Sequence, residues 1–140
     1  TAVRAPRKLT KEELAEWYKK QGEQFRDPKR LEDHLEGTDF TKPVTLRELP
    51  ENSEVIQYVR KNGQPGMYFA RPGTPMSQLG IEGHRELQRF VVRKPIEVVE
   101  STAKAVAPGK APGVGGLGGG QQLMFPSSWE NSVVRLPGGL

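Results

Sequence analysis

The spacing of apolar residues changes from helical to strand-like near Lys42, and this change constrains the fold of the chain more than any other feature. Before Lys42, apolar side chains recur at the three- and four-residue spacing of an amphipathic helix. After it, short apolar runs alternate with turns that contain Pro and Gly, which is typical of strands. The sequence therefore predicts an α+β fold, in which an N-terminal two-helix cap precedes a small, mostly antiparallel, twisted β assembly.

The helical part contains two start signals and one stop signal. Thr10 and Glu13 have the spacing of a capping box, in which each side chain satisfies a free backbone amide at a helix start. They predict a first helix over about 11–24. Asp27–Pro28 provides an N-cap followed by a proline at the first helical position, and Gly37 provides a stop. These signals predict a second, short helix.

The region after Lys42 contains strand-like runs that are separated by turns. The run at 54–60 is the strongest, and the turn at 63–66 predicts a hairpin with the run at 67–70. Weaker runs are found at 44–46, 87–92, 96–99, 123–125 and 132–135.

The chain has 140 residues, which fits a single domain over 1–140. We expect a basic tail at 1–9, the helical cap at 10–40 and a β-rich catalytic region at 41–140. Within this region, the stretch 108–120 is a glycine-rich loop. Loops of this length in compact domains are usually functional or disordered.

Composition excludes several classes of site. The chain has no cysteine, so disulfides and thiolate chemistry are excluded, and its two histidines lack the spacing of metal ligands. The net charge of +4 and the pI near 9.5 favour an anionic partner. However, 17 acidic residues are mixed with 21 basic ones, which makes nucleic acid an unlikely partner. No apolar run approaches the roughly 20 residues that cross a bilayer. The chain opens at Thr1 without an initiator Met or a signal peptide, so we expect a piece of a larger protein or a processed product.

Polar residues follow several strand-like runs, where they can face a ligand. Arg60 ends the strongest run, and a strand-end Arg can hold a phosphate through two hydrogen bonds. Ser101 and Thr102 close another run with two hydroxyls, and the pair Gln121–Gln122 opens a late run directly after the glycines, with Gln122 as the candidate side chain. Taken singly, Arg60 is most simply a solvated charge and Ser101–Thr102 an ordinary turn. Glycine-rich segments are also often plain tethers.

Taken in order, the Arg, the Ser-Thr pair and the late Gln resemble the Arg, Ser-Thr, Glu series of ADP-ribosyltransferases, with Gln in place of Glu. Seven further short motifs occur in an order that looks like the C-terminal toxin domains of polymorphic bacterial systems. Among these, the chain resembles the NAD⁺ glycohydrolase toxins related to the tuberculosis necrotizing toxin over roughly 44–126. The motifs are Leu49–Pro50, Val55–Val59, Gly66–Ala70, Leu79–Ile81, Lys94–Ile96, Glu100–Ala103 and Gly118–Gln122.

The resemblance implies an ADP-ribosyltransferase-like fold and assigns roles to individual residues. Gln122 and Arg60 are the implied catalytic residues, Gln122 on the ribose and Arg60 on the pyrophosphate. Either Tyr68 or Phe69 would stack on the nicotinamide, although their strand setting favours a place in the core. His84 is the one histidine within the matching region, without a clear motif around it. The full set of implied NAD⁺-binding residues is Arg60, Tyr68, Phe69, Arg71, Ser101, Thr102, Gly119, Gly120 and Gln122.

The resemblance also implies an activity, a partner and a destination. The activity is hydrolysis of NAD⁺ as a substrate, with NADP⁺ left open as a second substrate, and with no prosthetic group and no metal. The partner is a cognate immunity protein with an acidic surface, and the destination is the cytoplasm of a target bacterial cell after secretion. Three alternatives stay open at this point: an ADP-ribosyltransferase that modifies a protein, a toxin ribonuclease, and a binding module without enzymatic activity.

Overall fold

The structure of the chain is a computed structural model, which describes residues 5–60, 66–75, 85–103 and 120–137, without the side chains of Gln24 and Arg60. The described residues form two α-helices and one eight-stranded sheet in which all strand pairs are antiparallel. The predicted α+β class is therefore confirmed. No helix in these four ranges is long and apolar enough to cross a membrane.

The first helix, α1, covers Lys11–Lys19 and begins at the predicted capping box. Thr10 Oγ1 accepts a hydrogen bond from the backbone amide of Glu13 at 3.1 Å, and Glu13 Oε1 accepts one from the amide of Thr10 at 3.0 Å. The helix is shorter than the predicted 11–24. The backbone is extended at Gly22, and the residues after it form a separate 3-10 turn at Glu23–Arg26.

The second helix, α2, covers Pro28–Glu36 and confirms both of its predicted end signals. Asp27 Oδ1 accepts a hydrogen bond from the amide of Lys29 at 3.2 Å, which satisfies one free donor of the first turn. Gly37 is the C-cap.

The sheet has the strand order β1-β2-β6-β7-β4-β3-β5-β8. Of the two strands nearest the C-terminus, β7 lies in the middle of the sheet and β8 at its edge. The predicted hairpin between the runs at 54–60 and 67–70 is confirmed by the pairing of Ile56 with Ala70. One expectation needs correction, because β1 lies in the predicted basic tail, pairs with β2 and precedes both helices. The strands are β1 (Arg7–Lys8), β2 (Thr45–Leu49), β3 (Glu54–Arg60), β4 (Tyr68–Ala70), β5 (Arg85–Val92), β6 (Ile96–Thr102), β7 (Gln121–Met124) and β8 (Val133–Arg135).

The two faces of the sheet bury two separate apolar cores. On the helix face, defined here by Val99 and Met124, the sheet packs against α1, α2 and the 3-10 turn. On the inner face, defined by Val98, Leu123 and Phe69, side chains from β2 to β8 pack together with Trp129. Because successive side chains of a strand point to opposite faces, the face of each polar strand residue follows from these anchors.

Candidate active site at the ends of three strands

Three neighbouring strands, β6, β7 and β4, bring Gln122 next to Ser101. Gln122 is opposite Ser101 on one side and opposite Ala70 on the other. Its Nε2 atom donates a hydrogen bond to Ser101 Oγ at 3.2 Å. Ser101 is buried, whereas Gln122 is half-buried. A buried hydroxyl therefore orients the carboxamide of a residue that is itself partly exposed.

The adjoining pair, Thr102 and Gln121, repeats this contact on the other face of the sheet. Gln121 Nε2 donates to Thr102 Oγ1 at 3.2 Å, and the two residues are directly opposite each other. Since side chains alternate along a strand, Ser101 and Gln122 lie on the helix face, and Thr102 and Gln121 on the inner face. The predicted Ser-Thr pair is thus divided between the two faces.

Arg71 lies on the inner face, in a cluster of three charged residues. Glu100 Oε2 accepts a hydrogen bond from Arg71 Nε at 3.0 Å, and Glu100 Oε1 accepts one from Arg47 Nε at 2.9 Å. The Glu100 side chain is only 12% exposed, whereas those of Arg47 and Arg71 are 36% and 46% exposed. One partly buried carboxylate therefore holds two guanidinium groups whose ends reach solvent.

Tyr68 belongs to a polar network that joins both helices to the sheet. Its hydroxyl lies 2.8 Å from the Tyr18 hydroxyl and 2.7 Å from His34 Nδ1. The His34 ring stacks on the Tyr68 ring, with centroids 5.7 Å apart. Burial raises the pKa of Tyr68 well above its ordinary value, and also raises the pKa of Tyr18. Burial lowers the pKa of His34, so this imidazole is neutral at pH 7.

Phe69 lies in the inner core and not at the surface. Its ring is 2% exposed and packs against Phe90, Phe125 and Trp129, with centroid distances of 5.1, 4.2 and 5.1 Å. This position agrees with the core setting that its strand context favours. A bound nicotinamide has no access to this ring, and we leave Phe69 out of the proposed site.

Arg60 is not brought beside Gln122. It ends β3 and is opposite Arg85, whereas the β3 residue in line with Gln122, through Ala70, is Ile56. The four residue steps from Ile56 to Arg60 span about 13 Å at roughly 3.3 Å per residue. The backbone of Arg60 thus lies at the far end of β3 from the polar strand ends.

The glycine-rich loop is described only at its last residue. Gly120 is buried, and its carbonyl accepts a hydrogen bond from the amide of Ala103 at 2.9 Å, which continues the pairing of β6 with β7. Gly119 and His84 lie outside the described residues. Among the residues that are described, no group of His, Asp and Glu is arranged to hold a metal ion.

Sequence reasoning missed Arg47, Glu100 and His34. The alternation of the β2 and β6 residues shows which faces Arg47 and Glu100 occupy, but not that the two strands are neighbours. His34 reaches the sheet because α2 packs on the helix face. The sequence around His34 does not predict that contact, because the spacing of His34 on α2 fits an ordinary polar position.

Comparison with known proteins finds solved structures that share this fold. No protein-family model matches the sequence, and no curated protein matches it. Tse6, solved in complex with Tsi6, is 23% identical with a TM-score of 0.66, and the match covers 86% of this chain and 94% of that chain. Rhs1-CT, solved in complex with its cognate immunity protein RhsI1, is 17% identical with a TM-score of 0.58, and the match covers 74% of this chain and 83% of that chain. The chain therefore shares its fold with these two proteins.

Proposed function

We propose that this chain is the toxin domain of an interbacterial competition system and that it hydrolyses NAD⁺ to nicotinamide and ADP-ribose. The fold supports the toxin part of the proposal, because Rhs1-CT, which has this fold, was solved with a cognate immunity protein. The same likeness supports a dedicated immunity protein for this chain. In this proposal the domain acts in the cytoplasm of a target bacterium, where NAD⁺ is available.

The observation that carries the enzymatic part is the position of Gln122. Its Nε2 atom donates a hydrogen bond to Ser101 Oγ, and among the described residues Gln122 Oε1 has no hydrogen-bond partner. An oriented carbonyl oxygen at an accessible strand end can accept a hydrogen bond from a sugar hydroxyl. Gln122 follows a glycine run, and the run allows a ligand to approach the backbone closely.

Cleavage of NAD⁺ does not require a strong general acid from the protein. Nicotinamide leaves as a neutral molecule, because its ring is already cationic in the substrate. The remaining sugar passes through an oxocarbenium-like transition state, as in glycoside hydrolysis. In our proposal the Gln122 oxygen orients the ribose through a hydroxyl group, and its partial negative charge lies near the developing positive charge. A bound water then forms a bond to the anomeric carbon of this cationic sugar and releases one proton to solvent, which gives ADP-ribose.

The absence of a carboxylate at this position favours hydrolysis over transfer to a protein. A glutamine cannot deprotonate an acceptor side chain, whereas water needs only to be present when the oxocarbenium-like sugar forms. An ADP-ribosyltransferase of the same fold is the second candidate.

The test is nicotinamide release from NAD⁺, followed by chromatography, with Gln122→Ala and a matched control. Gln88→Ala is the control, because it removes the same carboxamide from a half-buried position on β5. We expect release to fall about 100-fold in Gln122→Ala, which is the scale for one oriented electrostatic contact. We expect Gln88→Ala to keep the wild-type rate.

Two outcomes contradict the proposal. Full turnover in Gln122→Ala removes the residue from the mechanism. No release from NAD⁺ by the wild-type protein removes the hydrolase activity, and a mass increase on a protein acceptor, or cleavage of added RNA, then identifies the alternative.

A further inference from the structure

Strand β4 is joined to β3 by a single backbone pair. Ile56 is opposite Ala70, and no further pair is formed between the described residues of the two strands. On its other edge, β4 pairs with β7 at three positions, and the amide of Phe125 donates to the Met67 carbonyl at 2.8 Å. β3 in turn pairs with β5 at seven positions. The junction between β3 and β4 therefore has less backbone pairing than the junction on either side of it.

The side chain of Gln57 takes the place of backbone pairing at this junction. Its Nε2 atom donates to the carbonyls of Gly66 at 3.0 Å and of Tyr68 at 2.8 Å, and its Oε1 atom accepts from the amide of Gly66 at 2.9 Å. A carboxamide carries the same donor and acceptor groups as the peptide unit that it replaces. Because Gln57 is only 7% exposed, these hydrogen bonds face little competition from water.

The two ends of β4 are held by consecutive residues of β3. Gln57 binds the main chain at Gly66 and Tyr68, which lie before Ala70. Tyr58 donates from its hydroxyl to the Thr74 carbonyl at 2.8 Å, and this contact lies after Ala70. Since Tyr58 acts on the far end of the segment, the carboxamide of Gln57 is what holds the beginning of β4 against β3.

Through β4, this contact reaches the candidate site. Ala70 is directly opposite Gln122, and the backbone hydrogen bonds between β4 and β7 transmit a displacement of one strand to the other. Ser101 orients the Gln122 side chain from the opposite side, on β6. A misplacement of about 1 Å at a reacting centre can reduce a rate by as much as about 100-fold. The position of β4 therefore matters for Gln122, although Gln57 does not contact Gln122.

From these contacts we infer that Gln57 is a positioning residue, which fixes β4 against β3 and thereby holds the carboxamide of Gln122 in place. The effect on catalysis rests on the proposed function, but the positioning itself is measurable without NAD⁺. Gln57 acts on a ligand only through β4 and Gln122. Its own carboxamide is bonded to main-chain groups, and its side chain lies on the inner face, whereas that of Gln122 lies on the helix face.

Nuclear magnetic resonance tests the positioning without substrate. Gln57→Met has a side chain of similar size and removes all three hydrogen bonds. We expect the amides of β4 to exchange with solvent about tenfold faster in this variant, which is the scale for the loss of a hydrogen bond. We also expect the side-chain amide resonances of Gln122 to shift, whereas the amides of β2 keep their wild-type exchange rates.

Gln88→Met is the matched control for this experiment. Gln88 is directly opposite Gln57 on β5, and its Oε1 atom has no hydrogen-bond partner among the described residues. The control should leave both the β4 exchange and the Gln122 resonances unchanged. Gln57→Asn is the second variant, in case Gln57→Met does not fold. It keeps a carboxamide on a side chain one methylene shorter, which cannot reach both Gly66 and Tyr68, so we expect the same changes.

Kinetics with NAD⁺ distinguishes positioning from a general loss of stability. After correction for the folded fraction, nicotinamide release at saturating NAD⁺ should fall about tenfold in Gln57→Met. When Gln122→Ala is already present, the same substitution should change release less than about twofold, because the group that Gln57 positions is then absent. An equal loss in both backgrounds would show that Gln57 acts independently of Gln122, and it would overturn the inference.

The remaining outcomes separate this inference from the proposed function. Faster β4 exchange and shifted Gln122 resonances, in a protein that releases no nicotinamide, support the positioning and contradict the proposed function. Nicotinamide release with unchanged Gln122 resonances in the Gln57 variants overturns the positioning. Faster exchange throughout the sheet, including β2, also overturns it, because Gln57 would then support the whole fold and not β4 in particular.

Discussion

His34 Nδ1 and the hydroxyl of Tyr68 lie 2.7 Å apart, and this contact joins α2 to β4. Burial lowers the pKa of His34 below its ordinary value of 6.5, because the charged imidazolium is poorly solvated there. The native state therefore favours neutral His34, whereas the unfolded state takes up a proton as the pH falls below that value.

The first prediction concerns the pH dependence of stability. Since the unfolded chain binds more protons than the native protein below about pH 6.5, the free energy of unfolding falls as the pH is lowered from 7.5 to 5.5. For one histidine this slope cannot exceed about 1.4 kcal/mol per pH unit. Urea denaturation at several pH values measures it. His34→Asn should flatten the slope, and an unchanged slope in this variant contradicts the assignment.

The second prediction compares the two tyrosines of the same network. The Tyr68 hydroxyl contacts both Tyr18 and His34, whereas that of Tyr18 contacts Tyr68. Tyr68→Phe leaves two polar partners without their contact and should cost about 1–3 kcal/mol, whereas Tyr18→Phe should cost about 1 kcal/mol. Urea denaturation of both variants and of the double variant gives the coupling between them. Additive effects would show that the two hydroxyls do not interact.

The third prediction concerns the start of α1. Thr10→Ala removes the hydroxyl that accepts a hydrogen bond from the Glu13 amide, and it should lower the free energy of unfolding by about 1 kcal/mol. Thr10→Ser keeps an equivalent hydroxyl and should leave stability nearly unchanged. Chemical denaturation compares the two. Equal losses in both variants would mean that the threonine methyl group, and not the cap, matters at this position.

The fourth prediction separates packing from substrate binding at Phe69. Phe69→Ala removes a ring that is 2% exposed from the inner core and should cost about 3–5 kcal/mol. Leu87, which is 42% exposed, provides the comparison, since Leu87→Ala should cost less than about 0.5 kcal/mol. Phe69→Leu is the milder variant for kinetics. A KM for NAD⁺ that rises while stability is retained would instead return Phe69 to the substrate site.

Local signals were enough to predict the elements of this fold. Thr10, Asp27 and Gly37 act on backbone groups within a few residues of themselves, so their effect is readable from the sequence. The same is true of the strong run at 54–60, which coincides with β3. The short strand Arg7–Lys8 was missed because its pairing with β2 is contributed by residues far along the chain.

The candidate site was predictable only in part. The strand-end positions of Ser101 and Thr102, and the start of β7 near Gln122, follow from local patterns. The arrangement of strands does not, and it decides that Arg71 lies across the sheet from Gln122 and that Arg60 lies at the far end of β3. Contacts such as that of Arg47 with Glu100 join residues 53 positions apart, and no short motif encodes them.

The place of β7 in the strand order determines when the two parts of the sheet can join. β7 is the strand that joins β1-β2-β6 to β4-β3-β5-β8, and it lies at Gln121–Met124 of 140 residues. Without that segment, no strand pairing joins β1-β2-β6 to β4-β3-β5, and the edges of β6 and β4 are unpaired. Pairing of such distant segments is slow compared with local folding. A chain emerging from the ribosome, or from a narrow conduit with its N-terminus first, therefore places Gln122 beside Ser101 only after β7 has followed both of its neighbours, β6 and β4. Until then, neither half of the sheet contains the contact between Gln122 and Ser101.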